Sequence, residues 1–330
     1  MATAFRRFQI GKETTRGTGV AATIRIVNGV VTVGPDTEHY VPNEDRNSLA
    51  ERAVATLVRF DSKWSWTGPW SYEQALFFFA MCLKGSVSPA TPGGGTNSRT
   101  WTFLQSLTAS NAQNAYTLEA GDDNQEVEAV YGMVRQIQLK FQPKGPCVGT
   151  VDMFARSLAK STFTGSLAAV AQEPIITPKT KLYIDTTWAG LGGTIKSTLL
   201  REATVTIPGV RPYETADGEL YFSTHTEPKR TIGLEMKVKM AAAAISEYDK
   251  HVVDPAPTMA FIRLKTTGSV IEAAITKHHI LDMAIRYDEP VEMFDDDDGQ
   301  TTATLKGHTY EDLTSGSDFS AEVQNAIASL

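Results

Sequence analysis

Apolar and polar residues alternate at every second position along most of this chain, and that period admits few folds other than half-buried strands. The alternation runs through ATIRIVNGVVTV (22–33) and VRQIQLKF (134–141), where Val134, Ile137, Leu139 and Phe141 are separated by polar residues. It returns in KLYID (181–185), ATVTI (203–207), TIGLEMKVKM (231–240), FIRLKTT (261–267), HILDMAIRY (279–287) and TATLKGHTY (302–310). Turn formers punctuate these runs: Asn28-Gly29, Pro92 to Gly95, Pro143 to Pro146, Asp217-Gly218 and Asp298-Gly299. Strands with one wet face, joined by short turns, predict antiparallel sheets packed as a sandwich or barrel.

Helical signals are few. SYEQALFFFAMCL (71–83) opens on Ser71 with Gln74 three residues later, a capping-box spacing, and Gly85 follows its end. A helix apolar on nearly every side must lie between other elements. AAAAISEYDKH (241–251) is the second expected helix, with Lys250 and His251 in its last turn. The terminal SAEVQNAIASL reads equally as a short helix or an edge strand. Each helix follows alternating strands and precedes more of them, which is the pattern of a duplication with a period of roughly 160 residues. The seam is expected at SLAAVAQEPIITPKT (166–180), an extended linker between a first β domain, 1–165, and a second, 181–330.

Composition narrows function mainly by exclusion. The 330 residues carry 38 acidic and 31 basic side chains, a net charge of −7. A protein that grips phosphates usually shows a basic face, so nucleic-acid binding is not the first expectation. The N-terminal MATAFRRFQIGKETTRG lacks the apolar core of a signal peptide. The most apolar run, 75–83, falls short of the ~20 residues that cross a bilayer, so no membrane partner is expected. Two cysteines, Cys82 and Cys147, lie in apolar surroundings and read as core thiols in a reducing compartment.

No constellation of catalytic or metal-binding residues has the required spacing, and neither enzymatic activity nor a cofactor is expected. Gly190-Leu191-Gly192-Gly193 has no surrounding βαβ unit and reads as a turn between strands. Gly11-Lys12 is followed by Glu13, where a phosphate loop needs Ser or Thr. Asp295 to Gly299 resembles the start of a calcium loop, but Phe294 and Leu305 occupy positions that need acids, so a solvated acidic loop is expected. His278 and His279 are strand neighbours that face opposite ways and hold no metal together.

The N-terminal third carries a recognisable layout. IGKETTRGTGVAATIRI leads into a strand, and VPNEDRNSLAERAVATLVRFDSKWSWTGPWSYEQALFFFAMCLKG runs through a polar excursion into the helix. TWTF (100–103), YTLEAGDD (116–123), MVRQIQLKF (133–141) and GTVDMFARS (149–157) continue the pattern. It resembles the major tail tube proteins of long-tailed bacteriophages, and 181–310 is compatible with a second copy. The resemblance implies a mainly β chain of two tandem sandwich or barrel domains of tail-tube type, each with one short helix. It further implies a virion protein, assembled in the host cytoplasm, whose partners are copies of itself and the tape-measure, tail-terminator and distal tail proteins. Genome DNA would pass through the channel without specific binding. Two such domains per chain imply three subunits in a pseudo-sixfold ring.

On that reading the polar stretches 34–70, 86–99 and 142–148 reach neighbouring subunits. Glu119, Asp122, Asp123, Asp295, Asp296, Asp297 and Asp298 are the candidate channel-facing acids, whose charge would keep a polyanion mobile. Trp64, Trp66, Trp70 and Trp101 pack the core or anchor an interface. Two rival expectations remain: another phage structural protein (terminator, baseplate or decoration), and a carbohydrate-binding β-sandwich with exposed aromatics.

Overall fold

In the computed structural model, which describes residues 6–42, 54–165, 167–216, 218–252, 258–288 and 292–330, the chain is mainly β and its named sheets pair antiparallel throughout. Asp217, Ser166 and the 43–53 part of the polar excursion lie outside the described residues. The first half contributes β1 (Arg7–Lys12), β2 (Ile24–Ile26), β3 (Val30–Tyr40), β4 (Thr56–Pro69), α1 (Ala75–Cys82) and β5 (Arg99–Leu104). It continues through β6 (Tyr116–Gly121), β7 (Glu126–Phe141), β8 (Val148–Ala155) and β9 (Ala159–Ser161). The second half contributes β10 (Thr180–Asp185), β11 (Leu200–Pro208), β12 (Arg211–Tyr213), β13 (Thr224–Thr226), β14 (Gly233–Lys239) and α2 (Ala242–Val252). It ends with β15 (Ala260–Glu272), β16 (Ile275–Arg286), β17 (Glu292–Asp297), β18 (Gln300–Thr309) and β19 (Phe319–Asn325).

The duplication is topological. In the first half the hydrogen-bonded order is β1-β6-β7-β8-β4-β3. In the second it is β10-β15-β16-β18-β14-β11, with β17 continuing along β18. The long β7 pairs with β6 through its first half and with β8 through its second. In the second repeat the same path is divided between β16 and β17. Each helix follows the strand that pairs with the repeat's outermost one, α1 after β4 and α2 after β14.

Local chemistry explains the bends. β7 passes from one layer to the other at Tyr131, whose φ is +60°, an uncommon conformation for a large side chain. Glu13 fixes this point: one carboxylate oxygen accepts the Tyr131 N–H at 2.7 Å and the other accepts the Gly17 N–H at 2.7 Å. Asn28, at φ +60°, turns the chain between β2 and β3. These strands do not pair with each other, so this Asn-Gly signal moves the chain between sheets, from β1 to β4 as partner.

The halves are not separate bodies. One hydrophobic core runs from Trp66 and Phe78 through Ile137 and Val205 to Leu281 and Val323. Every residue of α1 is buried within it. Two strand pairings cross the boundary: β7 with β11, from Gln136↔Pro208 to Phe141↔Ala203, and β5 with β19. The terminal segment, ambiguous in sequence, is therefore a strand with both edges paired, to β16 and to β5. The expected linker is also inserted: Ile175 donates its N–H to Trp70 O at 2.7 Å and accepts the Cys147 N–H at 2.7 Å.

The long polar stretches, expected to reach neighbouring subunits, also make contacts within the chain. Among the described residues in and around 34–70, β3 and β4 pair antiparallel, from Val30↔Thr67 to Tyr40↔Thr56, with a register shift between Glu38 and His39. Residues 142–148 make a short turn and enter β8, and the loop 86–99 is held by Glu272, described below. The Gly190–Gly193 stretch is a turn between β10 and β11, as its sequence predicts. Cys82 and Cys147 are buried free thiols.

Candidate assembly surface

The β7–β11 joint fuses the two repeats into one eight-stranded sheet in the order β3-β4-β8-β7-β11-β14-β18-β17. The alternation read in the sequence gives this sheet two unlike faces. Trp64, Trp66, Ile137, Leu139, Val205 and Met236 point into the core. The opposite face carries Ser65, Thr67, Gln138, Lys140, Thr204 and Lys237, all exposed or half-buried. Cross-strand polar contacts join it, such as Ser65 Oγ to Asp152 at 3.2 Å.

The candidate acids divide among three environments. Asp295 and Asp297 lie on β17 and project to the polar face, where Lys237 Nζ meets Asp295 at 2.8 Å and Arg201 Nε meets Asp297 at 2.7 Å. These cations hold both carboxyls below the usual range. The run is solvated, as expected, but Asp295 to Asp297 belong to a paired strand and only Asp298 to the turn that follows it. Asp296 accepts the Gly299 N–H at 2.7 Å, and Asp298, at φ +57°, closes the β17–β18 turn.

Asp122 and Asp123 sit apart, at the β6–β7 turn, where Asp122 accepts N–H groups from Asn124 and Gln125. Glu119 requires correction. It is buried, with its carboxylate accepting from Gln9 Nε2 at 3.1 Å and from the Thr164 N–H and hydroxyl at 2.9 and 2.6 Å. It ties β6 to β1 and to the 162–165 segment and presents no charge to solvent.

Trp64, Trp66, Trp70 and Trp101 are all buried, which selects packing over an exposed interface role. Trp70 stacks on Phe78 with ring centroids 5.6 Å apart. Trp101 donates its indole N–H to Ile327 O at 3.2 Å.

Several clamps hold the repeats in one orientation. Lys277 on β16 reaches Glu73 at 2.6 Å and Glu173 at 3.1 Å, linking helix entry, inserted segment and second repeat. Glu272, at the tip of β15, accepts the N–H groups of Thr96, Asn97 and Ser98 and the hydroxyls of Thr96 and Ser98. The Ser98 contacts lead in holding its carboxyl at about 2. The excursion 209–231, which carries β12 and β13, folds back over the first repeat. Arg156 donates to Phe222 O and Ser223 O, and its guanidinium lies 4.7 Å from the Tyr131 ring centroid.

A cleft of 880 Å3 is lined by Trp188, Met259, Phe261, Arg286 and Asp312, among others. Among the described lining residues its one carboxylate, Asp312, is engaged by the N–H groups of Thr314 and Ser315. Among the described residues no cluster of three or more His, Cys, Asp or Glu is placed to hold a metal ion. His278 and His279 diverge as strand neighbours must, the first toward Glu322 and the second into the core beside Trp70. No described helix is long and apolar enough to cross a membrane.

None of the cross-repeat pairings has a signature in sequence, since backbone groups pair irrespective of side chain. Pro208, which ends β11, is the nearest available signal. No protein-family model matches this chain, and no curated protein matches it.

Proposed function

We propose that this chain is the repeating subunit of a bacteriophage tail tube, a structural virion protein that assembles into stacked rings around a channel for genome delivery. The observation that carries the reading is the eight-stranded sheet, built from two topologically equivalent repeats, dry on one face and polar on the other. A wall of this kind suits a water-filled conduit. Its Ser, Thr, Gln and Lys side chains stay hydrated, while the helix and outer strands cover the apolar side.

The acids of β17 alter the electrostatic argument. Asp295 and Asp297 are neutralised in pairs by Lys237 and Arg201. The polar face is thus mixed in charge and hydrated, and it offers a polyanion neither a cationic trap nor a strong repulsive field. With two repeats per chain, three subunits supply six wall segments. Tape-measure, terminator and distal tail proteins are the partners of such a tube, and the virion tail is its location.

The purified chain, examined by negative-stain electron microscopy, is expected to form rings or tubes with three subunits per ring. A true sixfold ring of this chain would refute the stoichiometry. A monomer at every concentration, absent from virions, would refute the function.

A further inference from the structure

The two ends of the eight-stranded sheet are the two halves of its own internal joint. Inside the chain, the C-terminal part of β7 pairs with β11. Through the repeat, β11 corresponds to β3, since each is the outermost strand beside its partner, β14 or β4. The C-terminal part of β7 corresponds to β17, since each runs along the strand that follows it, β8 or β18. In the residue-by-residue registers of the described residues, β3 pairs only with β4 and β17 only with β18, so each has one open edge.

We propose that β17 of one copy pairs antiparallel with the amino-terminal half of β3 of the next, repeating between chains the β7–β11 joint found within the chain. The partner is a second copy of this chain, and the contact is head to tail, so it generates a closed ring or a continuing array. The proposal rests on the ring-forming reading for closure at three copies, but the joint itself rests on the duplication alone.

Three further observations fit it. Val30 on β3 and Phe294 on β17 are 57% and 74% exposed, large apolar side chains at the two open edges. The seam run on β11 ends at Pro208, the last residue of that strand, and β3 carries Pro35 within its span, each proline lacking the N–H that pairing at its position would use. Acidic side chains on an edge strand ordinarily repel an incoming strand. Here Lys237 and Arg201 draw Asp295 and Asp297 onto the polar face of the same sheet, leaving the backbone edge accessible.

Cysteine cross-linking tests the joint on the full chain. Thr32→Cys is mixed with Glu292→Cys, and separately with Phe294→Cys, and each mixture is oxidised. Because Cys82 and Cys147 are buried, the engineered thiols report the contact. Covalent dimers are expected in at least one mixture and from no single variant alone. The doubly substituted chain is expected to give a ladder that ends at three. The two β17 positions keep the test open if one substitution disturbs folding. Rings or tubes that form without any β3–β17 link would overturn the joint and leave the tail-tube reading standing. Linked trimers that never stack would sustain the joint and overturn the tail-tube reading, and a persistent monomer would overturn both.

Discussion

Trp70 and His279 meet where the two repeats join: the indole Nε1–H of Trp70 lies 3.4 Å from Nε2 of His279, and Phe79 stacks on the same imidazole with ring centroids 5.9 Å apart. With that nitrogen accepting, the imidazole is neutral. Burial, and then the neighbouring His278, pushes its pKa down to about 3.

A histidine depressed in this way makes stability depend on acid. Above about pH 6.5, the unfolded-state value, neither state binds the proton. As pH falls from there toward 3, the unfolded chain takes up a proton that the folded chain refuses, and stability declines. His279→Phe should keep the stacking and remove this titration. Its melting temperature should be lower at pH 7.5, because the Trp70 N–H loses its acceptor at a cost of about 1–3 kcal/mol. Its further fall between pH 6.5 and 4 should be shallower than that of the parent. His225, depressed to about 4 chiefly by burial, contributes a similar slope that this variant retains. Parallel melting curves against pH for parent and variant would refute the assignment.

Lys277, on the second repeat, neutralises two carboxylates, Glu73 at the helix entry and Glu173 on the inserted segment. Lys277→Met should leave Glu73, a buried residue, beside Glu173 without a cation, at a cost of about 3 kcal/mol read from the urea midpoint. Adding Glu73→Gln should recover part of the loss. A double variant no better than the single one would count against the pair.

Glu272 organises a loop from the other repeat. Glu272→Gln keeps the size of the side chain but weakens its grip on the donors of residues 96–98, so amide exchange across 93–99 should accelerate while circular dichroism stays unchanged. The parent should show the same loosening only as pH falls below about 4.5 toward 2, the interval in which this carboxylate loses its stabilising effect.

Gly209 tests the internal joint. Its N–H donates to Arg135 O at 2.8 Å, and a Cβ there would stand 2.2 Å from Val134 O and 3.0 Å from Cys82 Sγ. Backbone cannot give way as a side-chain tip can. Gly209→Ala should therefore destabilise the protein by about 1–3 kcal/mol in thermal denaturation, whereas Gly165→Ala, where a Cβ meets nothing, should be silent.

What the sequence could show was decided by range. Period-two patterning located β7, β11, β14 and β16, and the apolar run 75–82 could only be a helix packed on all sides. The β7–β11 and β5–β19 joints were invisible, because backbone pairing leaves no residue signature. Glu119 shares an acidic block with Asp122 and Asp123 in sequence but not their surroundings in the fold. Its neighbours Leu118 and Ala120 place it inside a strand, whereas the two aspartates stand at a Gly121 turn. The run 295–298 reads as a loop because the cations that pair with its strand, Lys237 and Arg201, are distant in sequence.

β19 has a consequence for how the protein is made. It is the last described strand to leave the ribosome, yet it fills the slot between β16 and β5, where Thr100 meets Gln324 across a sequence separation of 224. An unfinished chain therefore exposes a vacant groove in both repeats at once. Contacts this distant slow folding, so nascent chains carry a site that favours chaperone capture, and closure of both repeats waits on β19.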